Sequence, residues 1–284
     1  MIGVIGAGTM GKGIAIEFAR YGFKVNLVSV GRHLSREVLL QEIKDIVSKY
    51  EFLNMDEILG NINEFNTLEN LGACELIIEA LSEDLEIKRK TISEVSKLVQ
   101  PGTIFASNTS SLSINEIFQN IVDGNNVLGL HFFNPVQIMK LVEVSFISET
   151  STETINKAIS YLDKIEKVHV KVKDSPGFIV NRLLIPMINE AIKIVKEGTA
   201  SIEDVDTAMK YGANHPMGPL KLSDLIGNDI TLSILRTLGR YQSDIVISDL
   251  LVDVVNQKKL GRKTGIGFYE YKKKIWGEAC LNYV

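Results

Sequence analysis

Four histidines occur in the 284 residues, and one of them stands where proton chemistry could be done. His131 follows the apolar strand 127–130 and opens the run Phe132-Phe133-Asn134-Pro135. Open α/β sheets bind ligands beyond the carboxyl ends of their strands, and an imidazole there, titrating near neutral pH, can give or take a proton. Further along, Glu143 interrupts the apolar strand Lys140-Leu141-Val142-Glu143-Val144. A carboxylate carried inward on such a strand needs a partner. Periodicity alone leaves the commoner alternative open, a structural histidine and a glutamate on an edge strand. His33 at a helix start, His169 in a Val/Lys strand and His215 before Pro216 read as structural or exposed.

The second chemical feature is Gly6-x-Gly8-x-x-Gly11, with Ala7, Thr9 and Met10 at the intervening positions. It lies between an apolar strand at 2–5 and a helix expected over 12–21. In that setting the first glycine permits the tight turn, the second lets backbone approach a pyrophosphate, and the third lets helix and strand pack closely. The helix N-terminus then offers unpaired N–H groups and partial positive charge to phosphates, so a dinucleotide site is expected. An acidic residue at the end of the next strand would hydrogen-bond the adenosine 2′-hydroxyl and repel a 2′-phosphate. Ser29 stands there, with Arg32 just beyond. This leans the choice toward NADP(H), with NAD(H) the alternative and Arg32 a solvated helix-start residue in that case.

These groups need a scaffold. The strand, the helix and a second strand at 24–30 make a βαβ unit, whose parallel strands require a crossover. Apolar runs at 76–79, 103–106 and 127–130 alternate with helical segments, and stretches at 139–146 and 168–172 have β character, so sheet persists to about residue 174. From Phe178 the periodicity is helical, as in Leu183, Leu184, Met187, Ile188, Ala191, Ile192 and Val195. The expected fold is α/β: a Rossmann-type doubly wound sheet domain over 1–176 and a smaller all-α domain over 177–284, divided at the turn Asp174-Ser175-Pro176-Gly177. A net charge of −4 gives no electrostatic case for a nucleic-acid partner. No apolar run approaches the roughly 20 residues that span a bilayer, and no membrane role is expected. Cys74 and Cys280 form neither a CxxC pair nor a metal cluster. With no export signal ahead of the first strand, a cytoplasmic protein without a metal is expected.

Several long motifs carry a resemblance. Ala106-Ser107-Asn108-Thr109-Ser110-Ser111-Leu112-Ser113-Ile114, Gly129-Leu130-His131-Phe132-Phe133-Asn134-Pro135, Met139-Lys140-Leu141-Val142-Glu143-Val144, Asp174-Ser175-Pro176-Gly177-Phe178-Ile179-Val180-Asn181-Arg182 and Gly261-Arg262-Lys263-Thr264-Gly265-x-Gly267-Phe268-Tyr269 follow one another along the chain. Together with the glycine loop and Gly212–Pro219 they resemble the 3-hydroxyacyl-CoA dehydrogenase family, most nearly its stand-alone bacterial members acting on 3-hydroxybutyryl-CoA in butyrate metabolism. The resemblance implies His131 as catalytic acid/base and Glu143 as its orienting carboxylate, with Ser110 and Asn181 at the substrate oxygen and acyl chain. It implies cofactor contacts from the glycine loop, Glu83, Lys88, Ser110, Asn134 and Lys263, beside the Ser29 and Arg32 positions read above, an acyl-CoA substrate, and a homodimer formed through the helical domain.

The sequence departs from the family at Ser29, at the lysines Lys44 and Lys49 of an expected helical hairpin over 44–65 that faces the CoA phosphates, and at Gln242-Ser243-Asp244-Ile245-Val246-Ile247. Two other readings compete. A dehydrogenase of free 3-hydroxyacids shares the plan but uses a lysine where this chain has the His131 segment. A crystallin-like binding protein shares the fold without needing His131, Glu143, Ser110 and Asn181 together.

Overall fold

The computed structural model describes residues 1–30 and 36–271. Arg32, His33, Cys280 and the Lys272–Lys274 run lie outside the described residues. By its internal contacts the chain divides into two units, Met1–Phe178 and Ile179–Val284.

The first unit begins with β1 (Ile2–Ile5), α1 (Thr9–Arg20) and β2 (Val25–Val28). It continues with α2 (Arg36–Val47), α3 (Met55–Asn61), β3 (Ile62–Phe65), β4 (Leu76–Glu79), α4 (Leu85–Val95), β5 (Ile104–Ser107) and α5 (Ile114–Phe118). It ends with β6 (Val127–Phe132), β7 (Leu141–Phe146), α6 (Thr152–Lys164) and β8 (Val168–Lys173). Among the described residues the strands form one sheet in the order β3-β2-β1-β4-β5-β6-β7-β8. Its pairs are parallel from β3 to β6, antiparallel between β6 and β7, and parallel between β7 and β8.

Alternation along each strand feeds two cores, one on each face of the sheet. Ile2, Val4, Val25, Leu27, Leu76, Ile78, Leu128 and Leu130 pack with α1, α2, α3 and α6 on one face. Ile5, Val28, Ile77, Phe105 and Val127 pack with α4 and α5 on the other. Val142 and Val144 belong to the first core, so period two turns Glu143 to the opposite face, as it turns His131 between Leu130 and Phe132.

Several expectations are adjusted. The first helix starts at Thr9 rather than 12, because Gly8 already serves as its N-cap. Strand β6 runs to Phe132, so His131 sits within it, and β7 begins only at Leu141. The edge-strand alternative for Glu143 is overturned: β7 is flanked on both sides, by β6 and β8. The stretch expected to be a helical hairpin also supplies β3, a short edge strand with one buried residue, Ile62.

The second unit holds α7 (Val180–Lys196), α8 (Ile202–Gly212), α9 (Pro219–Ile226), α10 (Asn228–Gly239) and α11 (Asp249–Asn256). Its core gathers Ile185, Ile188, Ile192, Leu220, Leu232, Leu235, Leu238 and Leu251. Among the described residues no helix is long and apolar enough to cross a membrane.

Candidate active site

β1 lies between β2 and β4, the point at which the winding of the sheet reverses, and the glycine loop leaves its carboxyl end there. Gly6 has φ +105°, and a Cβ on it would lie 2.6 Å from the Ala80 carbonyl oxygen. A Cβ on Gly11 would fall 1.7 Å from the Gly6 carbonyl oxygen. These two glycines are therefore required by the protein itself. Gly8 is different: a Cβ there meets nothing within 4 Å. It caps α1 without a side-chain hydrogen bond, and no acidic residue stands in the first turn. An exposed glycine at an open, uncapped helix start fits a phosphate group approaching the backbone. Ser29 follows β2 directly and is buried; its N–H donates to the Phe65 carbonyl (2.8 Å).

The loop after β5 is tied down from below. The Asn108 side chain accepts a hydrogen bond from the Phe132 N–H (2.9 Å), fixing the end of β6 beside His131. The Glu83 carboxylate accepts from Thr109 Oγ1 (2.6 Å), the Ser110 N–H (2.9 Å), Ser110 Oγ (3.3 Å) and the Ser111 N–H (3.0 Å). Lys88, on α4, is buried, with its ammonium 2.8 Å from Glu79 and 3.4 Å from Glu83. Glu79, itself fully buried, also accepts from Ser107 Oγ (2.7 Å). Burial acts to raise the Glu83 pKa, but the Lys88 charge and the hydrogen bonds from this loop outweigh it and hold the carboxyl below its ordinary value. Ser110 thus rests on an ionised carboxylate that is braced by a buried lysine.

His131 and Glu143 face one another as a direct cross-strand pair of the antiparallel β6–β7 ladder, where side chains come within about 5 Å at Cβ. His131 Nδ1 is 2.7 Å from Glu143 Oε2. Glu143 is fully buried and His131 is 6% exposed. The rings of Phe133 (4.4 Å between centroids) and Phe178 (5.9 Å) pack against the imidazole and shield it from water. With Nδ1 held by the carboxylate, Nε2 makes no hydrogen bond among the described residues and is the nitrogen left for a substrate oxygen. Such an arrangement can accept a proton from a hydroxyl or donate one to a developing alkoxide.

The structure thus brings His131, Glu143, Ser110, Glu83, Lys88, Asn134, Ser29 and the Gly6–Gly11 loop to the same edge of the sheet, at or just beyond the carboxyl ends of its parallel strands. Asn181 and Lys263 belong to the second unit. Asn181 sits in the first turn of α7 and is largely buried. The Lys263 ammonium lies 2.6 Å from Asp229. The loop carrying Lys263 is held by the buried Asp224, which accepts from the Phe268 and Tyr269 N–H groups (3.0 and 2.9 Å). Sequence reasoning did not single out Asn108, Glu79 or Asp224. The signal for the first two was position alone, a polar residue at the carboxyl end of a buried strand; for Asp224, between Ser223 and Leu225, there was none.

Comparison with known proteins identifies the family. Residues 1–175 match the family described as 3-hydroxyacyl-CoA dehydrogenase, NAD binding domain, and residues 177–271 match 3-hydroxyacyl-CoA dehydrogenase, C-terminal domain. A 3-hydroxybutyryl-CoA dehydrogenase of Clostridioides difficile is 44% identical, covering 96% of this chain and 99% of that protein. The crystal structure of (S)-3-hydroxybutyryl-CoA dehydrogenase from Ralstonia eutropha superposes with a TM-score of 0.87 at 37% identity, covering 96% of this chain and 99% of the other. That of FadB2 from M. tuberculosis gives 0.90 at 35% identity, covering 95% and 98%. With both halves matched in order and relatives alike over their full lengths, the chain belongs to the 3-hydroxyacyl-CoA dehydrogenase family.

Proposed function

We propose that this protein interconverts (S)-3-hydroxybutyryl-CoA and acetoacetyl-CoA, with His131 as the acid/base. The observation that carries this reading is the buried contact of 2.7 Å between His131 Nδ1 and Glu143 Oε2. When bound, the nicotinamide takes up or supplies the hydride exchanged at C3 of the acyl chain. His131 Nε2 removes the hydroxyl proton in oxidation and returns it in reduction, while Glu143 keeps the ring oriented and stabilises its charged form. Ser110, steadied by Glu83, and Asn181 supply hydrogen bonds at the C3 oxygen, where charge develops. The cofactor is held by the loop Gly6, Ala7, Gly8, Thr9, Met10 and Gly11, by Glu83, Lys88 and Asn134, and by Lys263. The distinguishing assay compares acetoacetyl-CoA with free acetoacetate. Turnover of the thioester alone is expected, and equal turnover of the free acid refutes the reading.

The family supplies NAD(H) as the cofactor class, and the finer choice follows from Ser29. With no carboxylate at the end of β2 to repel a 2′-phosphate, NADPH is expected to be used at least as well as NADH. Ser29→Asp is expected to lower kcat/KM with NADPH by about tenfold or more relative to NADH, the scale of one like-charge contact in a partly solvated site. A strong NADH preference in the unaltered enzyme, or no change in the ratio on substitution, overturns this assignment.

A homodimer through the helical unit is part of the same reading. It is supported by apolar side chains that this unit leaves exposed, Leu183 and Tyr211 foremost. Light scattering should give twice the 31.5 kDa of one chain, and a monomer at micromolar concentration rejects the dimer. Cytoplasmic placement is supported by the separated cysteines in the sequence, and recovery with a membrane or exported fraction contradicts it.

A further inference from the structure

A buried ion pair links the cofactor-loop helix to the segment that follows the catalytic strand. The side chains of Lys167, just ahead of β8, and Glu17, on α1, are 2–3% exposed, and their charged groups lie 2.6 Å apart. The Lys167 ammonium also donates to two backbone carbonyls of the β6–β7 connection, Val136 (2.6 Å) and Met139 (3.0 Å). Two further contacts dock that connection on the same helix. Gln137 Nε2 donates to the Gly13 carbonyl (2.9 Å), and Val136 packs so closely on Gly13 that a Cβ there would lie 2.9 Å from its Cγ2.

A buried pair is weak evidence for stability, since burial opposes both charges and a packed apolar pair often serves as well. Burial indeed pushes the Glu17 carboxyl up and the Lys167 amine down from their ordinary values, with each partner's charge working against the shift. What an apolar pair would lack is direction. Three donors on one ammonium meet one acceptor on α1 and two on the connection, and the connection carries Asn134 immediately before Pro135 and Val136.

We propose that Lys167, with Glu17, is a positioning residue that locks the 133–140 connection onto α1 and so fixes Asn134 and the exit of β6 relative to the dinucleotide loop. It rests on the assignment of Asn134 and His131 given above. Lys167 touches neither cofactor nor substrate in this role; it acts through the segment it holds.

The test uses Lys167→Met and, in case the unpaired Glu17 prevents folding, the apolar replacement Glu17→Leu/Lys167→Met. Hydrogen exchange of the cofactor-free protein reads the anchor directly: amides within 133–140 are expected to exchange about tenfold faster, with the β6 amides unchanged. In steady-state assays kcat is expected to fall about 10- to 100-fold, the scale of a misplacement near 1 Å at a reacting centre, while KM for acetoacetyl-CoA changes less than about threefold. A folded variant with unaltered exchange in 133–140 overturns the proposal, and so does faster exchange with kcat unchanged. The exchange result does not depend on whether His131 is the acid/base, because it is read without turnover, and His131→Asn tests that role separately.

Discussion

Asparagine at position 131 is expected to lower kcat by about 10²–10⁴-fold, the range lost with a general acid/base, while NADH binding stays within about twofold of the unaltered enzyme. The split follows from the geometry. Asparagine's amide can still donate to Glu143, so the buried carboxylate keeps a donor and the β6–β7 ladder keeps its register. It cannot carry a proton to or from C3 oxygen near neutral pH. The glycine loop lies at the end of β1, which is separated from β6 in the sheet by β4 and β5, so the pyrophosphate contacts at that loop should be untouched. Glu143→Gln makes the complementary case. A neutral amide cannot stabilise the imidazolium and can turn its own N–H toward Nδ1, favouring the tautomer that protonates Nε2 and removes the base; the loss should fall in the same range. Full activity in the His131→Asn protein would sink the assignment. A parallel loss of NADH fluorescence titration and kcat would instead point to a structural histidine, the alternative that periodicity left open.

How far the sequence foretold this site depends on the kind of contact concerned. The βαβ unit was legible because its signals are local: alternation, glycine spacing and a helix start within one short stretch. His131 and Glu143 could be singled out as unusual, each a charged or titratable group in an apolar strand. That they meet depends on β7 running antiparallel to β6 in a particular register, and no periodicity states the order or direction of strands. The same holds more strongly for Lys88 with Glu79, and for Lys167 with Glu17. Each pair is separated in sequence and joined only by packing, so no local signal ties its two charges together. Strand β3 was hidden for another reason: four residues with one buried side chain leave too little alternation to see.

The glycine loop gives a test that separates what the protein needs from what a cofactor needs. Gly11→Ala puts a methyl carbon 1.7 Å from the Gly6 carbonyl oxygen. Backbone on both sides must move, since neither a rotamer change nor a side-chain shift can relieve the overlap, and overpacking of this kind costs about 1–3 kcal/mol. Lower thermal stability together with weaker NADH binding is therefore expected. Gly8→Ala creates no overlap within the protein, and its φ of −75° suits alanine. The fold should lose no more than about 1 kcal/mol, the scale of a poorer N-cap. Its methyl group nonetheless projects into the open space at the start of α1. If a pyrophosphate approaches the backbone there, a steric cost of about 1–3 kcal/mol falls on binding alone, raising the NADH Kd about 5- to 150-fold. The informative result is the dissociation of the two readouts, with near-native melting and weakened NADH binding in Gly8→Ala but loss of both in Gly11→Ala. Unchanged NADH affinity in Gly8→Ala would mean that the open space at Gly8 is an ordinary surface turn, and the phosphate would have to be sought elsewhere along the carboxyl edge of the sheet.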